Sequence, residues 1–392
     1  MSTATFTTAD KDAAATYAKW IAPRPSLVVM QPETLCNLNC KAYCYLPLRT
    51  TRNTMPVAVA QAVATALAET GPDENGHDSV VEVCWHGGEP LATGPDRFAE
   101  LLAPFEPLLR AGLVRHSVQT NATLIDDDWC DLLTAHGFTV GVSIDGPADL
   151  DARRTDWRGR PAHDRILAGI DTLKRRGIEF SLIAVVGTDG IGRAEELLDF
   201  LAGLGAASIG FNIEEFEGSN TGAQPIPAQA HDFWTRTLAW SAAHPGVEIR
   251  ELDRLAHYLR TIRAGQRAAW DAHRFDPLPT VAFNGDVVLL SPELAGITDE
   301  HYGDFIAGNI LEQSLTAILA RAWQLPYVAE FTDGLAACRA TCGFFDFCRG
   351  ATAGNRYFEN GRFDSTETNH CRVSRQELVQ ALTDTTRKEK YA

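Results

Sequence analysis

The chain is short of positive charge. Its 392 residues carry 35 Lys and Arg against 51 Asp and Glu, a formal net charge of −16. That balance argues against a general nucleic-acid or anionic-membrane surface. No apolar run approaches the ~18 residues of a membrane span. The first ten residues are rich in Thr and Ala and lack a basic segment followed by an apolar core, so no secretion signal is visible. There is no internal repeat and no low-complexity linker. Without a secretion signal, the nine cysteines read as reduced thiols and metal ligands of a cytoplasmic protein, not as disulfides. Hydrophobic residues make up 45% of the chain, which places it with globular proteins. Its length supports a large core and one to three domains.

What is there is concentrated in Cys36-Asn-Leu-Asn-Cys40-Lys-Ala-Tyr-Cys44. Three cysteines fall within nine residues, with three residues between each pair. They follow an apolar run, 26–30, that reads as a buried strand. The thiols therefore sit in a loop at the carboxyl end of a strand, where barrel and open α/β enzymes build their sites. Three thiolates can hold three irons of a four-iron cluster and leave the fourth open. Zinc is the alternative, since closely spaced cysteines are often zinc ligands. A tight triplet with no nearby histidine fits zinc less well.

From 26 to 213, short apolar runs alternate with helical patterns. Strands are expected at 26–30, 80–85, 116–120, 139–144, 179–186 and 208–213. Helices are expected near 55–69, 97–111, 127–136, 163–176 and 192–204. Such alternation implies parallel strands with right-handed crossovers. Six units are too few for a complete eight-fold barrel, so the fold class is α/β with a partial (β/α)6 TIM-like barrel. Beyond residue 214 the pattern predicts two helices within 227–264, around His244-Pro-Gly246. It predicts a hairpin over 280–290 turning at Asn284-Gly285, a short helix near 313–324 and a C-terminal helix over 374–388.

Polar motifs recur at the strand ends. His86-Gly-Gly-Glu-Pro90 follows the second strand, with glycines that allow close backbone approach. Gln119-Thr-Asn121 ends the third and Ser143-Ile-Asp145-Gly-Pro147 the fourth. Each alone has a plain turn reading. Gly187-Thr-Asp-Gly190-Ile-Gly192 lacks the dinucleotide-binding order and reads as the start of a helix. Cys84 and Cys130 read as buried hydrophobes.

Together and in this order, the cysteine loop and the motifs at 87–90, 119–121 and 143–147 resemble radical S-adenosylmethionine (SAM) enzymes. They resemble in particular the branch with a C-terminal SPASM or twitch extension, and the match spans roughly 26–372. The resemblance implies that Cys36, Cys40 and Cys44 bind the SAM-cleaving [4Fe-4S] cluster. Gly87, Gly88 and Glu89 would hold the amino group of SAM, Ser143 and Arg154 its carboxylate. Asn121 would lie nearby, and Tyr43 would pack near the adenine. The family usually has two residues between its second and third cysteines. Here Lys41-Ala42-Tyr43 makes three, so a slightly bulged loop is expected.

Cys338, Cys342, Cys348 and Cys371 give four thiols, enough to saturate one more four-iron cluster; a structural zinc has the same ligand set. A full SPASM domain carries seven cysteines, and its earlier pair is absent here, where the chain reads Leu290-Ser-Pro-Glu293-Leu. One auxiliary [4Fe-4S] cluster is therefore expected. The text around Ser291-Pro-Glu-Leu294, Gly308-Asn-Ile310, Asn355-Arg-Tyr357, Thr366-Glu-Thr368 and Phe211-Asn-Ile-Glu214 resembles the cyclophane-forming maturases of ribosomal peptides. Glu293 stands where sulfatase maturases carry a catalytic aspartate, and it is the candidate general base. Glu214, Glu215 and Glu217 are either functional or a solvated turn or helix cap.

The domain layout implied is an N-terminal arm at 1–25, a radical SAM partial barrel at 26–215, bridging helices and hairpin at 216–325, and a C-terminal auxiliary iron–sulfur cluster domain at 326–392. The activity implied is abstraction of a β-hydrogen from a ribosomally made precursor peptide, followed by a carbon–carbon crosslink to an aromatic side chain. An external electron donor is an expected partner; nucleic acid and membrane are not. Formylglycine formation, as in sulfatase maturases, is the alternative within the class. A non-catalytic iron–sulfur or zinc protein is the alternative outside it. The segment ahead of the first strand is too short for a separate leader-binding domain, so leader recognition is expected in 214–265 or in a separate protein.

Overall fold

In the computed structural model, residues 7–40, 44, 46–69, 80–218 and 220–391 are described. The six expected strands are present: β1 (Leu27–Met30), β2 (Val81–Trp85), β3 (Val114–Thr120), β4 (Thr139–Ser143), β5 (Phe180–Val186) and β6 (Ser208–Ile213). They pair in sequence order and all in parallel. Helices Val57–Glu69, Pro95–Leu102, Asp127–Ala135, His163–Arg175 and Ala194–Gly203 lie between them. The strands alternate because only one face of the sheet is packed. On β2, Val81, Val83 and Trp85 are buried while Glu82 and Cys84 are half-buried. Trp85 lies under the crossover helices, its ring 4.9 Å from Phe98. The opposite parity, including Gln119, Ser143, Ile183 and Val185, lines a cavity.

The sheet is larger than six strands. β7 (Glu248–Ile249) extends it beyond β6, and on the other side β8 (Thr280–Val281), β9 (Asp286–Val288) and β10 (Gly308–Asn309) extend it beyond β1. β7 has only two residues, both absorbed into the two-helix pattern of 227–264. β8 pairs parallel with β1, and β8, β9 and β10 are successively antiparallel. The expected hairpin therefore forms, and it is hydrogen-bonded onto the first strand of the barrel. The expected helices Pro227–Ala243 and Arg250–Arg263 are also present.

Several helices were not read from the sequence, among them Thr8–Trp20, Pro326–Thr341 and Ala353–Asn360. Thr8–Trp20 begins at a capping box between Thr7 and Asp10. The chain after it is tied by Ala22 N–H donating to Phe275 O and Phe275 N–H to Trp20 O, both at 2.8 Å. Pro326–Thr341 carries Cys338 near its end. Near it Tyr302, Phe305, Tyr327, Tyr357 and Phe363 form an aromatic cluster, with Phe305 and Tyr357 4.8 Å apart. The C-terminal helix Glu377–Tyr391 packs on Pro227–Ala243, and Trp234 Nε1 donates to Val373 O at 2.7 Å. Among the described residues no helix is long and apolar enough to cross a membrane.

Gly88 fastens the carboxyl end of β2 to the cysteine loop. Its φ is +61°, and a Cβ there would stand 2.5 Å from Glu33 O and 2.7 Å from Thr34 O. Gly88→Ala is expected to cost at least the ~1–3 kcal/mol of a strained backbone and to push 33–35 away. A lowered melting temperature together with loss of iron from the loop is the expected outcome. Wild-type values of both would show that the contact does not position the loop.

Candidate active site and a second thiol cavity

Cys36 and Cys40 are buried and Cys44 is half-buried, and all three line one cavity of about 230 Å³. The loop is held from several sides. Arg49 Nη1 donates to Cys40 O at 3.0 Å, and Trp157 Nε1 donates to Cys36 O at 2.8 Å. Asn39 N–H donates to Thr155 O at 2.6 Å, and Leu38 N–H reaches Cys36 Sγ at 3.5 Å. Burial, and then the Glu89 carboxylate, push the Cys36 thiol far up. A thiolate there needs a cation beside it. Tyr43 lies outside the described residues, as do Lys41 and Ala42.

Gly88, Glu89, Asn121, Ser143 and Arg154 line the same cavity. The five come from the ends of β2, β3 and β4 and from the turn beyond β4. Glu89 is 1% exposed. It accepts from Thr120 Oγ1 at 2.6 Å, Asn121 N–H at 2.9 Å and Leu91 N–H at 3.1 Å. Burial raises its pKa against these three bonds, and the bonds lock the ends of β2 and β3 together. Asn121 Nδ2 donates to Asn37 Oδ1 at 2.8 Å, inside the cysteine loop. Ser143 Oγ accepts from Gln119 Nε2 at 2.8 Å. Arg154 does more than face the cavity: its Nε and Nη2 grip Asp145 at 2.9 and 2.7 Å. An incoming carboxylate would share that guanidinium with Asp145. Gly87, by contrast, is not among the lining residues; a Cβ on it would meet Gln31 at 2.9 Å.

The far wall is acidic. Glu214, Glu215 and Glu217 line the cavity, Glu214 buried and the other two half-buried, so Glu214 at least is not part of a solvated turn. Glu214 is 4% exposed; Arg153 Nη1 and Nη2 donate to its two oxygens at 2.8 and 3.1 Å. This pair lies over Gly187, where a Cβ would stand 2.2 Å from Glu214 Oε2, so the glycine run does more than begin a helix. Glu215 accepts from Asn355 Nδ2, and His370 Nδ1 lies 3.1 Å away. Against the burial that would raise it, His370 and then Asn355 hold Glu215 below the usual glutamate range.

Glu293 sits in the short turn Pro292–Leu294, and its carboxylate accepts from Ser291 Oγ. The turn packs on Gly354, one residue from Asn355. Burial raises the Glu293 pKa against the Ser291 bond. Glu217 is raised well above its ordinary value by burial, then by the charges of Glu293, Glu215 and Cys44. Glu217 therefore stands within electrostatic reach of both the cysteine loop and the Glu293 turn.

The four C-terminal cysteines, Cys338, Cys342, Cys348 and Cys371, line a second, smaller cavity. They surround a space: among the described residues no three Cys, His, Asp or Glu converge closely enough for a single metal ion. Cys338 and Cys371 meet donors. Arg356 Nη2 reaches Cys338 Sγ at 3.4 Å; Thr368 N–H and Gln376 Nε2 reach Cys371 Sγ at 3.5 and 3.6 Å. Arg356 is 2% exposed and lies over the Phe331 ring. A buried guanidinium among thiols suits a cavity that holds thiolates. Sequence reasoning quoted Asn355-Arg-Tyr357 but gave it no role. Here Asn355 serves the first cavity and Arg356 the second. His370, next to Cys371 and against Glu215, was missed altogether, since nothing near it in sequence shows what it faces. Cys130 is buried as expected and Cys84 is half-buried.

The sequence profile of the radical SAM superfamily matches residues 31–201. An uncharacterized protein of Synechocystis is 32% identical over 371 residues, 91% of each chain. The chain belongs to the radical SAM superfamily. It is also similar to the serine-type anaerobic sulfatase-maturating enzyme of Klebsiella aerogenes, 35% identical over 204 residues, 50% of this chain and 49% of that one. The likeness to that enzyme thus spans about half its length. Among solved structures the fold matches anSMEcpe with bound AdoMet and Cp18Cys peptide, with TM-score 0.71, 19% identity, and 92% of this chain and 97% of that one covered. It also matches Streptococcus suis SuiB bound to precursor peptide SuiA, with TM-score 0.63, 18% identity and 92% and 79% covered.

The cofactors of this radical SAM protein are SAM and a [4Fe-4S] cluster, and the first cavity fits them. It offers three thiols, a carboxylate and an amide at one end, and a serine and a guanidinium at the other. The second cavity offers four thiols, which fits one auxiliary [4Fe-4S] cluster. Purified anaerobically, the protein is expected to be brown and to carry about eight irons per chain. Replacing Cys36, Cys40 and Cys44 by Ala should leave about four irons and abolish reductive SAM cleavage. Colourless protein with stoichiometric zinc, or SAM cleavage by the triple variant, would sink the assignment.

Proposed function

We propose that this radical SAM enzyme matures a ribosomally made peptide, joining a β-carbon of one residue to the aromatic ring of another to form a cyclophane. In this reading Gly88 and Glu89 hold the amino group of SAM, and Ser143 and Arg154 its carboxylate, with Asn121 nearby. The SPASM-like unit is 326–392, after the barrel at 26–215 and the bridge at 216–325. Bound SAM and its cluster supply a 5′-deoxyadenosyl radical that removes one hydrogen atom. A bound auxiliary cluster supplies an acceptor for one electron. An external electron carrier and the reducing cytoplasm complete the requirements.

Closing the new bond and restoring the ring's aromaticity releases one electron and one proton, so a base must stand at the substrate. The observation that carries the reading is the group of acidic side chains between the two cavities. Glu215 and Glu217 line the SAM cavity, the charges of Glu293 and Glu215 act on Glu217, and His370, the residue before Cys371, lies 3.1 Å from Glu215. Glu293 is the better base of the buried pair. Ser291 donates to it, which stabilises its ionised form, whereas Glu217 is pushed further up and holds a proton more readily.

Formylglycine formation is the second reading. The 35% identity to the Klebsiella sulfatase-maturating enzyme favours it; the set of four C-terminal cysteines in place of seven favours the first. Both reactions remove two hydrogens from a serine-containing peptide, so mass alone does not separate them. A formylglycine product forms a hydrazone with a hydrazine probe. A crosslinked product does not, and it resists fragmentation between the joined residues.

Glu293→Gln keeps size and removes basicity. Product is expected to fall roughly 10²–10⁴-fold, the usual weight of general-base catalysis, with SAM cleavage near normal. The raised pKa fixes the pH dependence. The base works only when ionised, so product formation is lost as pH falls, and lost at a higher pH than an ordinary glutamate would give. Unchanged product from the Gln variant would remove Glu293 from the reaction.

A further inference from the structure

A second opening adjoins the SAM cavity. It is a groove of about 260 Å³ lined by Leu46, Pro47 and Leu48, by Phe283 of the β8–β9 hairpin, and by Ile297 and Ile306. Leu46 lines both this groove and the SAM cavity, so the two spaces meet at a side chain only two residues past Cys44. The groove is built. Gly296, at φ +81°, comes within contact of Pro47, where a Cβ would stand 3.2 Å from Cγ. This contact fixes the 46–48 segment against the turn that directly follows Glu293. The groove therefore starts at Leu46, beside the SAM cavity, and passes Ala295 and Gly296 just after Glu293.

Its lining is chiefly apolar, yet it is open to solvent. Leu48 is 41% and Ile306 42% exposed, two of the six large hydrophobic side chains left exposed among the described residues. Singly exposed leucines need no explanation. Two that flank one groove continuous with a reactive cavity mark a surface that is covered when the enzyme works. Polar side chains line it as well, among them Arg49, Asn284 and Asp286. A chiefly apolar lining with a few polar groups is the ordinary composition of a binding cleft. Its size suits one large side chain rather than a folded partner.

We propose that this groove seats a large apolar or aromatic side chain of the substrate peptide, adjacent to the residue that reacts. The proposal rests on the peptide-maturase reading and adds to it a sequence preference. Space at Leu46 leads one chain segment from the groove to the thiols. The anchored side chain orients its neighbour in the SAM cavity and shields the radical from water. Recognition of this kind contributes affinity through burial, so a charge placed in the groove should remove it.

The test uses SAM-loaded holoenzyme and fluorescein-labelled synthetic peptides with a central serine, flanked on either side by Leu, Phe or Asp. Binding is read by anisotropy. The Leu and Phe peptides are expected to bind at least tenfold tighter than the Asp peptide. The preference should vanish in Leu48→Asp and in Ile306→Asp, with iron content retained. Ile226→Asp, an exposed apolar site elsewhere (56%), should keep it. Binding without preference, or a preference that survives both groove variants, overturns the groove while leaving the peptide reading intact. No binding by any peptide overturns both. If either groove variant loses iron, Phe283→Ala, which shortens another lining side chain, decides by the same measurement.

Discussion

The sheet does not close, and the rest of the structure depends on how that opening is managed. Ten strands lie in one row, and the concave side is left unfilled where a complete barrel would pack layers of side chains. Open space at the carboxyl ends is useful only if those ends stay in place. They are pinned by buried charge. Glu89 binds the ends of β2 and β3 through Thr120 and Asn121. Asp145 accepts from Val185 N–H at 2.9 Å on β5 while gripping Arg154. Arg153 holds Glu214 beyond β6. Removing one member of such a pair strands a buried charge, typically at ~3–5 kcal/mol. The residues that hold the cavity open are thus the same ones that furnish its polar wall.

The C-terminal segment closes the same opening from outside. The helix Ala353–Asn360 sends Asn355 to Glu215 and Arg356 to Cys338, so a single helical turn serves both cavities. His370 and Cys371 repeat the arrangement, one residue against Glu215 and the next on the thiol cavity. Adjacent residues facing different sites keep the two at a fixed relation. The N-terminal helix supports this from the other side, with Trp20 edge-on to Phe345 at 6.0 Å.

Much of this was legible because it is local. Parallel strands buried under helices write themselves as apolar runs, so six strands could be read with ends correct to within two residues. Asn284-Gly285 announced the hairpin because type-specific turns need those residues. What was not legible depends on distance. Glu248-Ile249 pairs only because β6 offers an edge, and two residues carry no periodicity. Thr8–Trp20 lacks a strong apolar stripe, and its helix is explained by its cap and its packing. Glu214 looked like turn text because Arg153, sixty-one residues away, is what buries it. Arg154 was expected at the SAM carboxylate; that it also grips Asp145, nine residues before it, was not read.

Glu214, Glu215 and Glu217 line the cavity, and Glu293, though not among the lining residues, is close enough to act on Glu217; all four ionised would repel each other, and the structure divides them. Arg153 neutralises Glu214 with two hydrogen bonds. His370 and Asn355 stabilise the charge of Glu215. That leaves Glu217 and Glu293, both half-buried, where the negative charge on Glu215 raises both. Like charges at short range in low dielectric share protons, because the second ionisation is the costly one. The asymmetry between the two then matters. Ser291 donates to Glu293 and favours its charged form, while Glu217, facing Cys44, bears the greater electrostatic burden. A thiolate-bound cluster beside Glu217 would add negative charge and raise it further. Both carboxyls are raised, and the Ser291 hydroxyl favours ionisation at Glu293. A second carboxylate beside a base thus raises the pH at which that base ionises.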